Sequence, residues 1–292
     1  MPQDRLLRDR LVFLEQFASL RLDHTLAMLG HYQNVQAQQM LLEHRHRDLM
    51  EICYLARGRQ VYRVAGKDYA LRAGEIFITF PGEQHSSGGK PQEKGELFWM
   101  QLRLPRRGRF LNLPAGEARG LVDALRNLPA RHFPARPAVA GLFPRLFLYG
   151  ARAIQRQKLE GLDRIELCNA ACELLIEVAR SAQASGQTPR QDADVNRAIA
   201  FVAAHVAEPI GVPDIAEALG LSPSWFKAKF RRAMGMPPGE YVLRAKVDRA
   251  KPMLQAGRKV TDIAFDLGFS SSQYFATVFR RFTGVTPRQS RA

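Results

Sequence analysis

Cysteine is scarce in this chain of 292 residues, which carries only Cys53, Cys168 and Cys172. An odd and sparse set excludes a disulfide framework and fits reduced, buried thiols. Cys168 and Cys172 stand one helical turn apart with no histidine beside them, which argues against a metal pair. Long apolar runs are also missing, since no 18 consecutive apolar residues occur, and a membrane-spanning helix is not expected. The opening MPQDRLLRDRLVFLEQF interleaves charge where a secretory signal needs an unbroken apolar stretch, so a cytoplasmic protein is expected. Low-complexity tracts and lipidation motifs are absent too, and a hydrophobic content of 46% suits a globular protein with well-filled cores. Acidic residues are the remaining shortage. With 28 Asp and Glu against 43 Lys and Arg the net charge is +15, which favours a polyanionic partner. Nucleic acid ranks ahead of membrane because no basic amphipathic anchor appears. The excess is not confined to one half, since residues 190–292 hold 16 Lys and Arg against 9 Asp and Glu.

The length predicts two folding units. The segment SAQASGQTPRQDAD (Ser181 to Asp194) is small and polar, contains Gly186 and Pro189, and reads as the linker between them. Ahead of it, residues of about 25 to 104 alternate short apolar runs with turn signals: HTLAMLGHY, MEICYLA, RQVYRV, the tight turn AGKD, YALRAG, EIFITFPG and ELFWMQLRLP. This pattern predicts an antiparallel β sandwich or barrel. From about Gly116 to Arg180 the spacing turns helical. There Ile165, Leu167, Cys168, Ala171, Cys172, Leu174, Leu175 and Val178 form one apolar stripe, which must cover the barrel or a second copy of itself.

Beyond the linker the chain repeats itself. VPDIAEALGLS (Val212 to Ser222) matches VTDIAFDLGFS (Val260 to Ser270) at an offset of 48, and SPSWFKAKFRRAMG (Ser222 to Gly235) matches SSQYFATVFRRFTG (Ser271 to Gly284) at an offset of 49. Each unit predicts a short helix, a turn at Gly220 or Gly268 that needs positive φ, a serine N-cap at Ser222 or Ser271, and a second amphipathic helix. That is the layout of a helix-turn-helix. Between the units, PPGEYVLRAKVDRAKPMLQ predicts a spacer helix of about 17 residues, roughly 25 Å long. Major-groove faces recur every ~34 Å, so tandem units on such a spacer suit successive turns of one duplex. Phe226, Phe230, Phe275 and Phe279 are expected to be core residues.

These residues, above all VTDIAFDLGFSSSQYFATVFRRFTGVTPRQSR, make residues from about 194 to 292 resemble the DNA-binding domain of the AraC/XylS transcription regulators across its whole length. The resemblance implies two recognition helices in the major groove. By position, the contacts would come from Ser224, Trp225, Lys227, Ala228 and Arg231 in the first unit and Ser272, Gln273, Ala276, Thr277 and Arg280 in the second. Gln273 suits adenine and Lys227 guanine, Arg231 and Arg280 suit phosphates, and Ala228 and Ala276 offer only methyl contacts. Trp225 serves equally as a packing residue, and Arg232 and Arg281 read as solvated. Pro252 departs from the family pattern, since an interior proline clashes with the Asp248 carbonyl and would bend the end of the spacer helix. The resemblance further implies a homodimer, contact with RNA polymerase and a small effector, with sugars the class to seek first, and leaves activation and repression both open.

The stretch LEHRHRDLMEICYLARG (Leu42 to Gly58) places His44, His46, Glu51 and Gly58 in the spacing HxHxxxxExxxxxxG, and GEIFITFPGEQH (Gly74 to His85) follows. Together they resemble the two motifs of the cupin barrel that forms the sensing half of many such regulators. In a cupin enzyme His44, His46, Glu51 and His85 would hold a divalent ion such as iron or manganese. His44 and His46, two apart on a strand, share a face. Three roles for the set stand side by side: a metal-free effector pocket, joined by Tyr62, Trp99 and Gln101; a metal centre; or plain structure. The expected protein is α+β with two domains. Residues 1–184 form a cupin-like antiparallel β barrel followed by helices, for effector sensing and dimerisation. Residues 185–292 form an all-α AraC-type DNA-binding domain with two helix-turn-helix units joined by a spacer helix. A ligand-responsive, non-enzymatic transcription regulator with no required cofactor is the favoured function. A cupin metalloenzyme of dioxygenase or isomerase type fused to a DNA-binding tail is the alternative, and it lacks a second ligand set or acid/base groups.

Overall fold

A computed structural model describes residues 10–13, 25–156, 159–185 and 193–291. Half of the expected linker, residues 186–192, and most of the N-terminal stretch considered for its charge lie outside the described residues. The chain divides into two compact units. The first comprises residues 1–33, 41–89 and 95–187, and the second comprises residues 34–40, 90–94 and 188–292.

In chain order the strands are β1 (Arg10–Phe13), β2 (Leu26–Asn34), β3 (Gln38–Met40), β4 (His44–Arg45), β5 (Met50–Val64), β6 (Lys67–Arg72), β7 (Glu75–Thr79), β8 (Gln84–Ser86), β9 (Pro91–Gln92), β10 (Gly95–Leu102) and β11 (His132–Pro134). The main sheet of the first unit runs β1-β2-β10-β5-β7-β11, with β6 and β8 paired to β5 and β4 paired to β8. All of these described pairings are antiparallel. MEICYLA and RQVYRV, expected as two strands, are one strand, β5. Its first half pairs with β7 and β10 and its second half with β6 and β8. The apolar runs are separated by Gly58, whose φ of 92° turns the strand without ending it. One strand thereby serves two parts of the barrel wall.

Among the described residues the helices of this unit are α1 (Ala115–Arg126), α2 (Val139–Arg156) and α3 (Gly161–Ala184). The expected helical stretch after Gly116 is interrupted by β11, which pairs with β7. Three residues carry too little pattern to separate a short edge strand from a loop. The α3 stripe packs on the sheet's outer face: Leu167, Cys168, Ala171, Leu174, Leu175 and Val178 share one core with Ile52, Ile76, Phe98, Met100 and residues of α1 and α2. Ile165 is the exception at 47% exposed. It sits at the margin of the stripe, about 20° beyond Cys172, seven positions later.

The second unit contains α4 (Ala193–Ala204), α5 (Val212–Ala218), α6 (Pro223–Met234), α7 (Pro238–Gln255), α8 (Val260–Asp266) and α9 (Ser272–Thr283). Gly220 and Gly268 have φ of 69° and 64°, as the two turns require. The Ser222 and Ser271 hydroxyls accept hydrogen bonds from the amides of Trp225 and Tyr274. The spacer helix α7 has 18 residues and continues through Pro252 to Gln255. Proline therefore falls in its last turn. Two aromatic cores result, one around Phe226 and Phe230 and the other around Phe275 and Phe279. Within this unit β3 pairs with β9, and Glu93 forms an ion pair with Arg244 of α7.

Candidate functional site

Alternation along β5 and β10 turns Ile52, Tyr54, Phe98 and Met100 outward into the helix-covered core and leaves Glu51, Cys53, Trp99 and Gln101 on the inner face. Register places Glu51 opposite Gln101 and Cys53 opposite Trp99, while His44 of β4 pairs directly with His85 of β8. One ligand atom each from His44, His46 and His85 lie within 4.8 Å of one another. The Glu51 carboxylate, 5% exposed, lies 3.5 Å from His46 Nε2 and 3.5 Å from His85 Nε2. Gln101 Nε2 donates to Glu51 Oε2 at 2.7 Å and lies 2.9 Å from His46 Nε2.

Backbone carbonyls orient two of the rings. His44 Nδ1 is 2.9 Å from the Leu42 carbonyl and His85 Nδ1 is 3.3 Å from the Glu83 carbonyl. With Nδ1–H donating, His44 Nε2 is left with a lone pair toward the cluster, the arrangement that prepares an imidazole for a ligand, whereas His85 Nε2 faces the Glu51 carboxylate. His85 is 1% exposed and its Nε2 has no hydrogen-bond partner of good geometry.

The electrostatics follow from burial and contact together. Burial acts to raise the Glu51 pKa, but contacts from His46, His85 and Gln101 outweigh it and hold the carboxyl far below its usual range. For His85, burial opposes the charged ring and the Glu51 contact overcomes it, so its pKa is raised. For His44 burial prevails and the pKa is lowered.

Tyr62 and Trp99 stand farther along the same interior. The Tyr62 hydroxyl donates to Cys53 Sγ at 3.4 Å, and the thiol in turn points to Glu51 Oε1 at 3.6 Å. Burial pushes the pKa of both Cys53 and Tyr62 up, which keeps them protonated as donors. Tyr62 thus reaches the cluster through Cys53, a link sequence reasoning missed; its signal was the period-two step from Glu51 to Cys53. Trp99 lies over Gly30, where an added Cβ would sit 2.1 Å from the indole. Only glycine admits the ring there.

On the recognition helices the arrangement is reversed. Phe226 and Phe230 of α6, and Phe275 and Phe279 of α9, are buried as edge-to-face pairs with ring centres 5.5 and 5.7 Å apart. Ser224, Trp225, Lys227, Ala228 and Arg231 are exposed on α6, as are Gln273, Thr277 and Arg280 on α9, while Ser272 and Ala276 are half-buried. Trp225 is 49% exposed, with the Lys229 ammonium 4.4 Å from its ring centre, so it is a surface residue and not part of the core. Thr277 donates its hydroxyl to the Gln273 carbonyl at 3.0 Å. Among the described residues no acid engages Lys227, Arg231 or Arg280. Tyr274, the counterpart of Trp225 in the repeat and 46% exposed, is a further aromatic on this surface. The repeat offset pointed to it.

Comparison with known proteins assigns both regions. Residues 25–147 match the AraC-like ligand binding domain family, and residues 215–292 match a helix-turn-helix domain family. The chain is 26% identical over 261 residues to the HTH-type transcriptional activator RhaS of Escherichia fergusonii, covering 85% of this chain and 87% of that one. Over 136 residues it is 30% identical to the RhaS of Salmonella paratyphi B, covering 45% of this chain and 49% of that one. Over 98 residues it is 31% identical to the HTH-type transcriptional regulator ArgR of Pseudomonas aeruginosa, covering 33% of this chain and 30% of that one. With a cupin-like β-rich domain and its helices leading into paired helix-turn-helix units, the chain belongs to the AraC/XylS family of ligand-responsive, DNA-binding transcription regulators.

Proposed function

We propose that this regulator reads two adjacent major-groove segments with α6 and α9, and that a small polar effector bound inside the barrel gates that reading. The observation that carries the proposal is the repeat of one geometry: two capped helices with buried phenylalanines and outward polar faces. Ser224, Lys227, Ala228, Gln273, Ala276 and Thr277 face base edges, Arg231 and Arg280 hold phosphates, and Trp225 contacts the backbone or a thymine methyl. His44, His46, Glu51 and His85 bind the effector's polar groups, with Tyr62 and Trp99 shaping the apolar end of the cavity. The protein acts as a cytoplasmic homodimer that engages RNA polymerase, in keeping with the activator role named for its RhaS relatives. Among the described residues no helix is long and apolar enough to cross a membrane. The barrel acts as a sensor, in keeping with the transcriptional role named for its relatives.

Selection from random-sequence DNA followed by footprinting tests the first half. A bipartite motif protected over two major-groove segments is expected; protection of a single segment overturns it. Thermal shifts with a panel of monosaccharides and small hydroxy acids test the second half. A stabiliser of the wild type that has no effect on the His44→Ala, His46→Ala variant is expected, and footprints unchanged by that compound overturn the gating.

A second reading of the cluster is favoured by the buried His85 Nε2, which makes no well-aligned hydrogen bond. Imidazole nitrogens and a carboxylate fit a divalent transition ion, and His44, His46, His85 and Glu51 would hold it. Such an ion would supply an electrophilic anchor for an oxygen-bearing effector. Elemental analysis of the purified protein beside the His44→Ala, His46→Ala variant distinguishes the two readings: near-stoichiometric metal lost in the variant supports the ion, and no metal in either excludes it.

A further inference from the structure

The second unit has two apolar cores, and among the described residues no buried apolar cluster joins them. Helix α7 serves both in turn. Val242 belongs to the core around Phe226 and Phe230, whereas Val247, Ala250 and Leu254 belong to the core around Phe275 and Phe279. Lys246 stands at the change-over and is 4% exposed. Its ammonium donates to the Glu208 carbonyl at 2.7 Å and to the Leu267 carbonyl at 2.7 Å. Glu208 lies in the turn between α4 and α5, on the side of the first helix-turn-helix. Leu267 is the C-cap of α8 and belongs to the second. One cation on the spacer therefore satisfies a turn carbonyl on one side and a helix C-cap carbonyl on the other.

The backbones at this joint are also in close approach. A Cβ added to Gly268 would lie 2.9 Å from the Pro209 nitrogen and 3.0 Å from the Glu208 carbonyl carbon. The turn of the second helix-turn-helix thus rests on the chain of the first with no side chain between them. The Phe269 ring closes the far side, 5.6 Å from the Lys246 ammonium.

We infer that Lys246 is a positioning residue: it fixes the distance and rotation between α6 and α9, and so the spacing of the two DNA segments that both can enter. An apolar side chain would fill the volume equally well. What the ammonium adds is direction, because a desolvated cation must keep both carbonyls in place or remain unpaired. The joint also lies six positions ahead of Pro252, so the pose of the second helix-turn-helix is set before the chain reaches the proline-containing turn. The inference rests on the proposal that both helices enter DNA, and it makes a demand of its own. Inserting one base pair displaces a segment by ~3.4 Å and rotates it by roughly 35°, which a rigid joint cannot follow.

The test uses the full chain, the bipartite site selected by the wild type, and the same site with one or two base pairs inserted between its segments. Wild type should lose about tenfold or more in affinity on insertion, since one helix then forfeits its phosphate and base contacts. Lys246→Met should bind the original site more weakly and lose most of the penalty for insertion, with its circular dichroism unchanged. Lys246→Arg, which retains a cation with several donors, should restore the penalty. If Lys246→Met does not fold, Lys246→Gln, with a donor for one carbonyl, should give an intermediate penalty. A folded Met or Gln variant with the wild-type penalty overturns the role of Lys246. A wild type without any penalty, or with one protected segment, overturns the two-helix reading itself and the inference with it.

Discussion

The barrel interior and the recognition helices place their polar chemistry on opposite sides of their cores. Glu51, His85, Gln101 and Tyr62 are buried on the inner face of a wall whose outer face is apolar. On α6 and α9 the aromatic side chains are buried, and the lysine, arginines and glutamine face water. A pocket for a small molecule needs polar groups desolvated and assembled in advance, because a small ligand offers few contacts to reorganise them. A surface for a duplex needs cations kept hydrated until the phosphates displace their counterions. One kind of substitution, removal of a polar side chain, should therefore damage folding in the first unit and only binding in the second.

The largest effect expected sits where the second unit turns inward. Phe279→Ala should cost roughly 3–5 kcal/mol by opening a cavity in the core shared with Phe275 and Val278. Calorimetry should show it as a fall in the transition of the second unit with the first unmoved. Glu51→Gln tests the barrel in the same way. It keeps the shape but removes the charge that His46, His85 and Gln101 surround, and should cost about 3 kcal/mol in the first unit alone. Equal loss in both units would break the comparison, since the cores would then not be independent.

How much of this was legible in the sequence differs between the same two regions. Helical repeats advertise themselves: the offsets of 48 and 49 aligned Gly220 with Gly268 and Ser222 with Ser271, and the structure uses these as turns and caps. Those signals are local, decided by φ and by the first free amides of a helix. The barrel was legible as strands and as a histidine cluster, but its wiring was not. That β5 runs unbroken past Gly58, that β11 closes an edge, and that Cys53 stands between Tyr62 and Glu51 all depend on pairings far apart in sequence. Ile165 shows the limit within a helix too, where an apolar residue at the margin of a stripe is placed by neighbours that the stripe does not reveal.

A smaller effect should appear on the outward face. Gln273→Ala on α9 should leave both unfolding transitions in place and weaken discrimination at one base pair of the selected site by about 2 kcal/mol. Competition binding with single-base variants of the site measures this. A uniform loss across all variants would make Gln273 a phosphate contact and not a base reader.

The smallest effect concerns acid, and it sharpens the contrast because it reaches a carboxylate of the first unit outside the ligand cluster. Glu96 accepts from Arg57 Nε at 2.7 Å and lies 3.1 Å from His31 Nε2, itself buried against Phe98. Burial acts to raise the Glu96 pKa, but His31 and Arg57 outweigh it and leave it lowered. A carboxyl whose folded pKa lies below its unfolded value stabilises the fold above the ordinary carboxylate range. That contribution is lost as pH falls through the folded pKa. Arg57 is half exposed, so solvent screening keeps the contribution to about 1 kcal/mol or less. Urea midpoints of the first unit should therefore fall more gently for Glu96→Gln than for wild type as pH drops below ~5, and the two should differ most at neutral pH. Identical acid limbs for the two proteins would mean that the Glu96 contacts with His31 and Arg57 hold position without contributing stability, and the buried polar chemistry of the first unit would then rest on the ligand cluster alone.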